Sequence, residues 1–270
     1  MLYRKYKYLS VSIAAVLAVS GAAFAADVCD LSDGFEQTLI GFNSEAEACL
    51  EGVDGLTVQS FVESEIRRKA DTQRDNGAVL LNLASLNEAA RLHAFDMATR
   101  GFIAHADLEG RGHADRLRML ERKRLIGATG ANMVILSADA TPEAVFEAII
   151  SDTENARNMT RDSFTHMGIG AVEAEGRLYV VQLFARVDGE LDQAVPLTLG
   201  KRTDLRVSYA DANIQSVGWR LENTRGGTLA RGNNPQIVSP PAAVKQAGLS
   251  VDVTVGSNIY TLKGPIISTQ

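Results

Sequence analysis

The stretch Tyr179-Val180-Val181-Gln182-Leu183-Phe184 constrains the fold more than any other part of the chain. Val180, Val181, Leu183 and Phe184 form an apolar run too continuous for a strand with one wet face, so the spacing predicts a central strand covered on both sides. It lies within Met167 to Val187, which reads as two strands joined at Glu175-Gly176. Upstream lie helical patterns: a short helix near Ser44–Leu50, then one from Val58 that is broken at Asp75-Asn76-Gly77. The strongest spans Leu86 to Met97, where Ser85-Leu86-Asn87-Glu88 reads as a capping box and Gly101 as the stop. A helix from about Ala114 to Arg124, one opened by Thr141-Pro142-Glu143, and a helical piece near Asn155–Met159 complete this half. Helices first and strands after, with no regular βαβ alternation, predict an α+β arrangement of helices around an antiparallel sheet.

The two ends of the chain carry different signals. Arg4, Lys5 and Lys7 precede an apolar run from Val11 to Phe24 that ends in Ala23-Phe24-Ala25, the pattern of a secretory signal peptide over residues 1–25. No transmembrane segment is expected in the mature chain. Export makes Cys29 and Cys49 a disulfide pair pinning an N-terminal extension over residues 26–58, worth roughly 3 kcal/mol by chain entropy. Beyond Pro196 the pattern changes to short strand candidates at Leu197–Leu199, Arg206–Tyr209, Ile214–Leu221, Thr228–Ala230, Ile237–Ser239, Val251–Val255 and Ile259–Leu262. They predict a small all-β, sandwich-like module over 196–270.

The chain has 33 acidic and 27 basic residues. Loss of the leader removes three basic residues and leaves −9, a charge that disfavours nucleic acid, whose phosphates need Lys and Arg. Residues 196–270 carry +4 and residues 26–195 carry −13. Docking of the tail on the acidic half, or on an anionic envelope polymer, follows as an expectation.

Chemistry-bearing motifs are sparse. Nucleophile elbows, phosphate loops and dinucleotide fingerprints are absent. His93, His105, His113 and His166 are the histidines. His105 and His113, each two residues before an aspartate, have a spacing permissive for a metal, and His93 reads as part of a helix stripe.

Taken together, His93-Ala94-Phe95-Asp96-Met97-Ala98, Phe102-Ile103-Ala104-His105, Gly130-Ala131-Asn132, Asn158-Met159, Phe164-Thr165-His166-Met167-Gly168-Ile169-Gly170 and Tyr179 to Phe184 resemble, in order and spacing, the CAP superfamily. This family unites cysteine-rich secretory, antigen 5 and pathogenesis-related 1 proteins, also called SCP-like extracellular proteins. The likeness runs over about residues 60–187, closest to the compact bacterial branch, and puts the domain at 59–190. It implies an α-β-α sandwich, export to the periplasm or the extracellular space, and a cleft whose histidines and acids hold a divalent metal in many members. Carried over position by position, the cleft candidates are His105, Ala131, Asn132, Asp152, Asn155 and Tyr179. Ala131 stands where the family has glutamate. Asn155 stands where bacterial members often have histidine, and Tyr179 where the eukaryotic branch does. His105, His113 and Asp152 are the remaining candidate ligands for a metal such as zinc, an under-filled set. The expected function is therefore a non-catalytic exported protein that binds a small apolar or lipid ligand or a cell-envelope component, with no cofactor. A metal-dependent hydrolase or protease centred on His105 and an interaction scaffold are the alternatives.

Overall fold

A computed structural model describes residues 29, 31, 35–74, 78–238 and 240–269. The expected signal peptide lies outside the described residues. The first half contains α1 (Leu39–Glu51), β1 (Thr57–Val58), α2 (Ser60–Thr72), β2 (Leu81–Asn82), α3 (Ala84–Arg100) and α4 (His113–Leu120). Then come β3 (Arg124–Ser137), α5 (Pro142–Ser151), α6 (Thr153–Thr160), β4 (His166–Ala174) and β5 (Arg177–Leu191). The tail supplies β6 (Arg202–Asp204), β7 (Val207–Tyr209), β8 (Ile214–Glu222), β9 (Thr228–Gly232), β10 (Gln236–Val238), β11 (Ala247–Val255) and β12 (Asn258–Ile267).

The continuous apolar run is the centre of β5, buried on both faces and hydrogen-bonded to β4 on one side and β3 on the other. Its alternation divides the core. Tyr179, Val181 and Leu183 pack with α1, α3 and α4, whereas Leu178, Val180 and Phe184 pack with α2, α5 and α6. Helices thus cover both faces of one sheet, the α-β-α sandwich that the motifs implied.

Helix α3 sits so close to β4 that side chains there are impossible. A Cβ on Gly168 would lie 2.3 Å from the Leu86 carbonyl carbon, and one on Gly170 would lie 2.3 Å from the Arg91 nitrogen. The Gly-x-Gly of this strand is a packing requirement of the helix above it. The capping box expected at Ser85 does not form: the helix starts at Ala84 with Leu83 at its N-cap. The Ser85 hydroxyl is drawn instead to Glu121 (2.5 Å), which also accepts the backbone N–H groups of Lys123 and Arg124. A buried carboxylate outcompeted the local cap. For the same reason the helix expected to reach Arg124 stops at Leu120, and Arg124 opens β3.

The exposed edge of β4 is sealed by side chains between the short strands β1 and β2. Glu63 accepts from Ala171 N–H, Asn87 accepts from Ile169 N–H, and Arg67 donates to the Met167 carbonyl. An open edge that would template another strand is thereby closed.

The tail continues the sheet, in the order β1-β4-β5-β3-β12-β11-β8-β9, with β6 and β10 as a separate pair. The sandwich-like expectation for the tail gives way to this continuity. The register of β3 with β5 shifts between Leu125 and Ala128, and there Ile126 pairs on its other edge with Lys263 of β12. The tail core includes Leu125 and Leu191 from the first half. Charge attraction is not the main join. Arg118 donates to the carbonyls of Gly264 and Leu249, and Arg122 to those of Val195, Pro196 and Ile266. Among the described residues the one ion pair linking the tail to earlier residues is Arg206 with Asp192. Cys29 and Cys49 form the expected disulfide at the end of α1.

Candidate functional site

The expected cleft residues divide between the two faces of the sheet. Ala131 is packed against the core shared with α3, and Tyr179 lies buried in it. His105 follows α3 in an exposed loop, where its carbonyl accepts from Arg116 of α4 (3.0 Å). Asn132, Asp152 and Asn155 lie on the other side. Asp152 N-caps α6, accepting from the N–H groups of Glu154 and Asn155, both at 2.9 Å. Asn132 is fully buried and donates to the Asn155 carbonyl and to Gln182 Oε1, each at 3.0 Å, while accepting from Asn158 (3.0 Å). This carboxamide chain fastens α6 to the sheet, so Asn132 and Asn155 act as structural links. Gln182 belongs to it, and its polar signature inside an apolar strand was visible in the sequence.

On the His105 side, the structure assembles a group that sequence reasoning only partly found. His93 of α3, 1% exposed, donates from Nε2 to the Ala104 carbonyl at 2.8 Å and leaves Nδ1 without a partner. Burial, with the nearby Arg116 guanidinium second, pushes its pKa down to about 3, so it is neutral and Nδ1 is a bare acceptor. Burial and Arg116 likewise push His113, the first residue of α4, down to about 4. Arg116 itself is 2% exposed, and its Nε–H is also unpartnered. Its other nitrogens bind the carbonyls of Arg111 and His105. The clue to His93 in the sequence was a histidine placed on the apolar stripe of a helix, a pattern that fits a core residue equally well.

This set does not fit the divalent metal that the family implies. Ala131 offers no donor atom, and Asp152 is on the opposite face from His105. Among the described residues, the one group of three ligand-type side chains with atoms within 4.8 Å is Asp96, Asp107 and Glu109. Arginines already occupy it. Arg100 pairs with Asp96 and with Glu109 (2.6 Å), and Arg111 pairs with Asp107 (2.7 Å) and Glu109 (3.0 Å). Three acids and three arginines, counting Arg116 at 3.9 Å from Asp107, leave no negative charge for a cation.

A cavity lies elsewhere, between the segment 109–119 and the β8 to β12 strands. It encloses about 540 Å³ and is lined by charges of both signs. No helix among the described residues is long and apolar enough to cross a membrane.

Comparison with known proteins places this geometry. Residues 78–184 match the model described as CAP, cysteine-rich secretory protein family. No curated protein matches the chain. Among solved structures, an extracellular protein containing an SCP domain from Bacillus anthracis is similar at 18% identity and a TM-score of 0.40. The alignment covers 47% of this chain and 41% of that one. An outer surface protein of Borrelia burgdorferi is similar at 15% identity and a TM-score of 0.39, over 47% of this chain and 91% of that one. Residues 78–184, less than half of the chain, are thus similar in sequence to the CAP, cysteine-rich secretory protein family, and they contain much of the helix-covered sheet described above.

Proposed function

We infer that the protein works outside the cytoplasm as a binding protein and does no bond-breaking chemistry of its own. One observation carries the reading: the residues that the resemblance assigned to a cleft lie on both faces of the sheet, with Ala131 where a glutamate was expected and Asp152 capping α6. Positioned acid–base or metal chemistry needs convergent groups. The disulfide supports an oxidising compartment, the periplasm or the extracellular space. The polar, doubly charged lining of the 540 Å³ cavity favours a cell-envelope component over a small apolar or lipid ligand.

The test incubates residues 26–270 with purified cell envelope and follows both sedimentation and release of soluble fragments. Retention on the envelope without fragment release is expected. Fragment release that a chelator stops and that His105→Ala abolishes would establish the hydrolase reading and overturn this one. A protein that stays wholly in the supernatant would also overturn it.

A further inference from the structure

The seam cavity holds two opposite charges that make no ion pair within 4 Å among the described residues, and both belong to α4. Every other charged group in its lining is paired. Glu109 is held by Arg100 and Arg111, Arg111 is also held by Asp107, and Glu222 receives Lys263 at 3.0 Å and Ser250 at 2.8 Å. Arg118 differs. Its Nε and Nη2 donate to the carbonyls of Gly264 (2.7 Å) and Leu249 (3.0 Å), which fix the guanidinium without cancelling its charge. Asp115 and Glu222 are its nearest acids, yet neither comes within ion-pairing distance among the described residues. Burial lowers the Arg118 pKa, and the charges of Asp115 and Glu222 offset that only in part. Asp115 is an exposed carboxylate that accepts a long capping bond from Gly112 N–H (3.3 Å) at the start of α4 and makes no ion pair within 4 Å among the described residues.

Residues three apart on a helix share a face, with Cβ atoms about 5–6 Å apart. The cavity therefore presents a fixed cation and an unpaired anion side by side. Near them lie the polar side chains of Asn223 and Gln246, with Met119 and Ile266 as apolar surface. A carboxylate fits Arg118, where a guanidinium anchored by two carbonyls keeps N–H groups for a ligand. An ammonium fits Asp115.

We propose that this cavity is a binding site for a small zwitterion of the amino-acid or short-peptide class, its carboxylate on Arg118 and its ammonium on Asp115. The proposal rests on the binding-protein reading and names the chemistry of the ligand. Glu222 and Lys263 cancel one another, so the selectivity falls to the α4 pair.

Calorimetry on residues 26–270 tests it with three probes: alanyl-alanine, its N-acetyl derivative, which lacks the ammonium, and its amide, which lacks the carboxylate. Alanyl-alanine is expected to bind saturably, and each blocked form at least about tenfold more weakly, since each loses one charge-assisted contact. In Asp115→Asn, alanyl-alanine should fall to the affinity of the N-acetyl form, and the N-acetyl form should bind as it does to the unaltered protein. That second measurement separates lost recognition from lost folding. Equal binding of the three probes, no saturable binding, or indifference to Asp115→Asn each overturns the proposal. If envelope retention persists when the dipeptide does not bind, the ligand class is wrong and the binding function stands. If retention fails while the dipeptide binds, the cavity is a zwitterion site and the envelope reading is wrong.

Discussion

Lowering the pH from 7 to 5 should weaken this protein through two buried histidines, His93 and His113, of which His93 is the more deeply buried. Its ring is 1% exposed, its Nε2–H is held by the Ala104 carbonyl, and burial plus Arg116, with His105 and His113 beyond, hold its pKa near 3 against an ordinary 6.5. The unfolded chain takes up the proton below 6.5, whereas the folded one refuses it until about 3. His93 therefore contributes its stability in full above pH 6.5 and loses it progressively as the pH falls from 6.5 to 3. Between pH 7 and 5 this amounts to about 2 kcal/mol. His113 adds a loss of the same sign over the window from 6.5 to about 4. Urea denaturation at the two pH values, with the disulfide intact, measures the total. In His93→Gln, which removes the titration, the pH-dependent loss should shrink by about 2 kcal/mol, whatever the variant's stability at pH 7. Should that variant fail to fold, the ring resonances of His93 in the unaltered protein serve instead: they should not titrate above pH 4. A ring titrating near 6.5, or the same pH dependence with and without His93, would refute the reasoning.

Three further outcomes follow from the packing. Cys49→Ser should cost about 3 kcal/mol, the entropy of closing a 20-residue loop, read as a lower urea midpoint that reducing agent reproduces in the unaltered protein. Gly170→Ala should cost at least about 3 kcal/mol, as its methyl has nowhere to go but into the backbone of α3, and thermal unfolding will show the loss. Asn132→Ala should cost about 2–3 kcal/mol by leaving Gln182 Oε1 without its buried donor and removing the Asn132 bonds to the Asn155 carbonyl and Asn158, and hydrogen exchange should accelerate first in α6.

Much of the fold was legible because the signals were local and periodic. The apolar run through Leu183 foretold a strand covered on both sides, and the neighbouring strand candidates at Val251–Val255 and Ile259–Leu262 became the paired β11 and β12, turned at Gly256, which has a positive φ. The tail strands expected near Arg206, Ile214, Thr228, Ile237, Val251 and Ile259 all formed, because alternation is written residue by residue. The one at Leu197–Leu199 shrank to a single bridge between Thr198 and Ser268. The cap at Ser85 was misread because its better partner, Glu121, lies 36 residues away.

The candidate site was legible only as a list of residue types. The chain on its own determined that Ala131 has no ligand atom, that the cysteines can pair, and that the strands alternate as they do. Which side of the sheet each polar residue joins depends on how β3 and β5 pair and on which helix lies above. Only the assembled structure placed Asn132 with α6 and His93 with Arg116. It also brought Arg118 and Asp115 against strands more than a hundred residues away. Charges act through space, and the sequence carries no record of those distances until the backbone hydrogen bonds close the sheet.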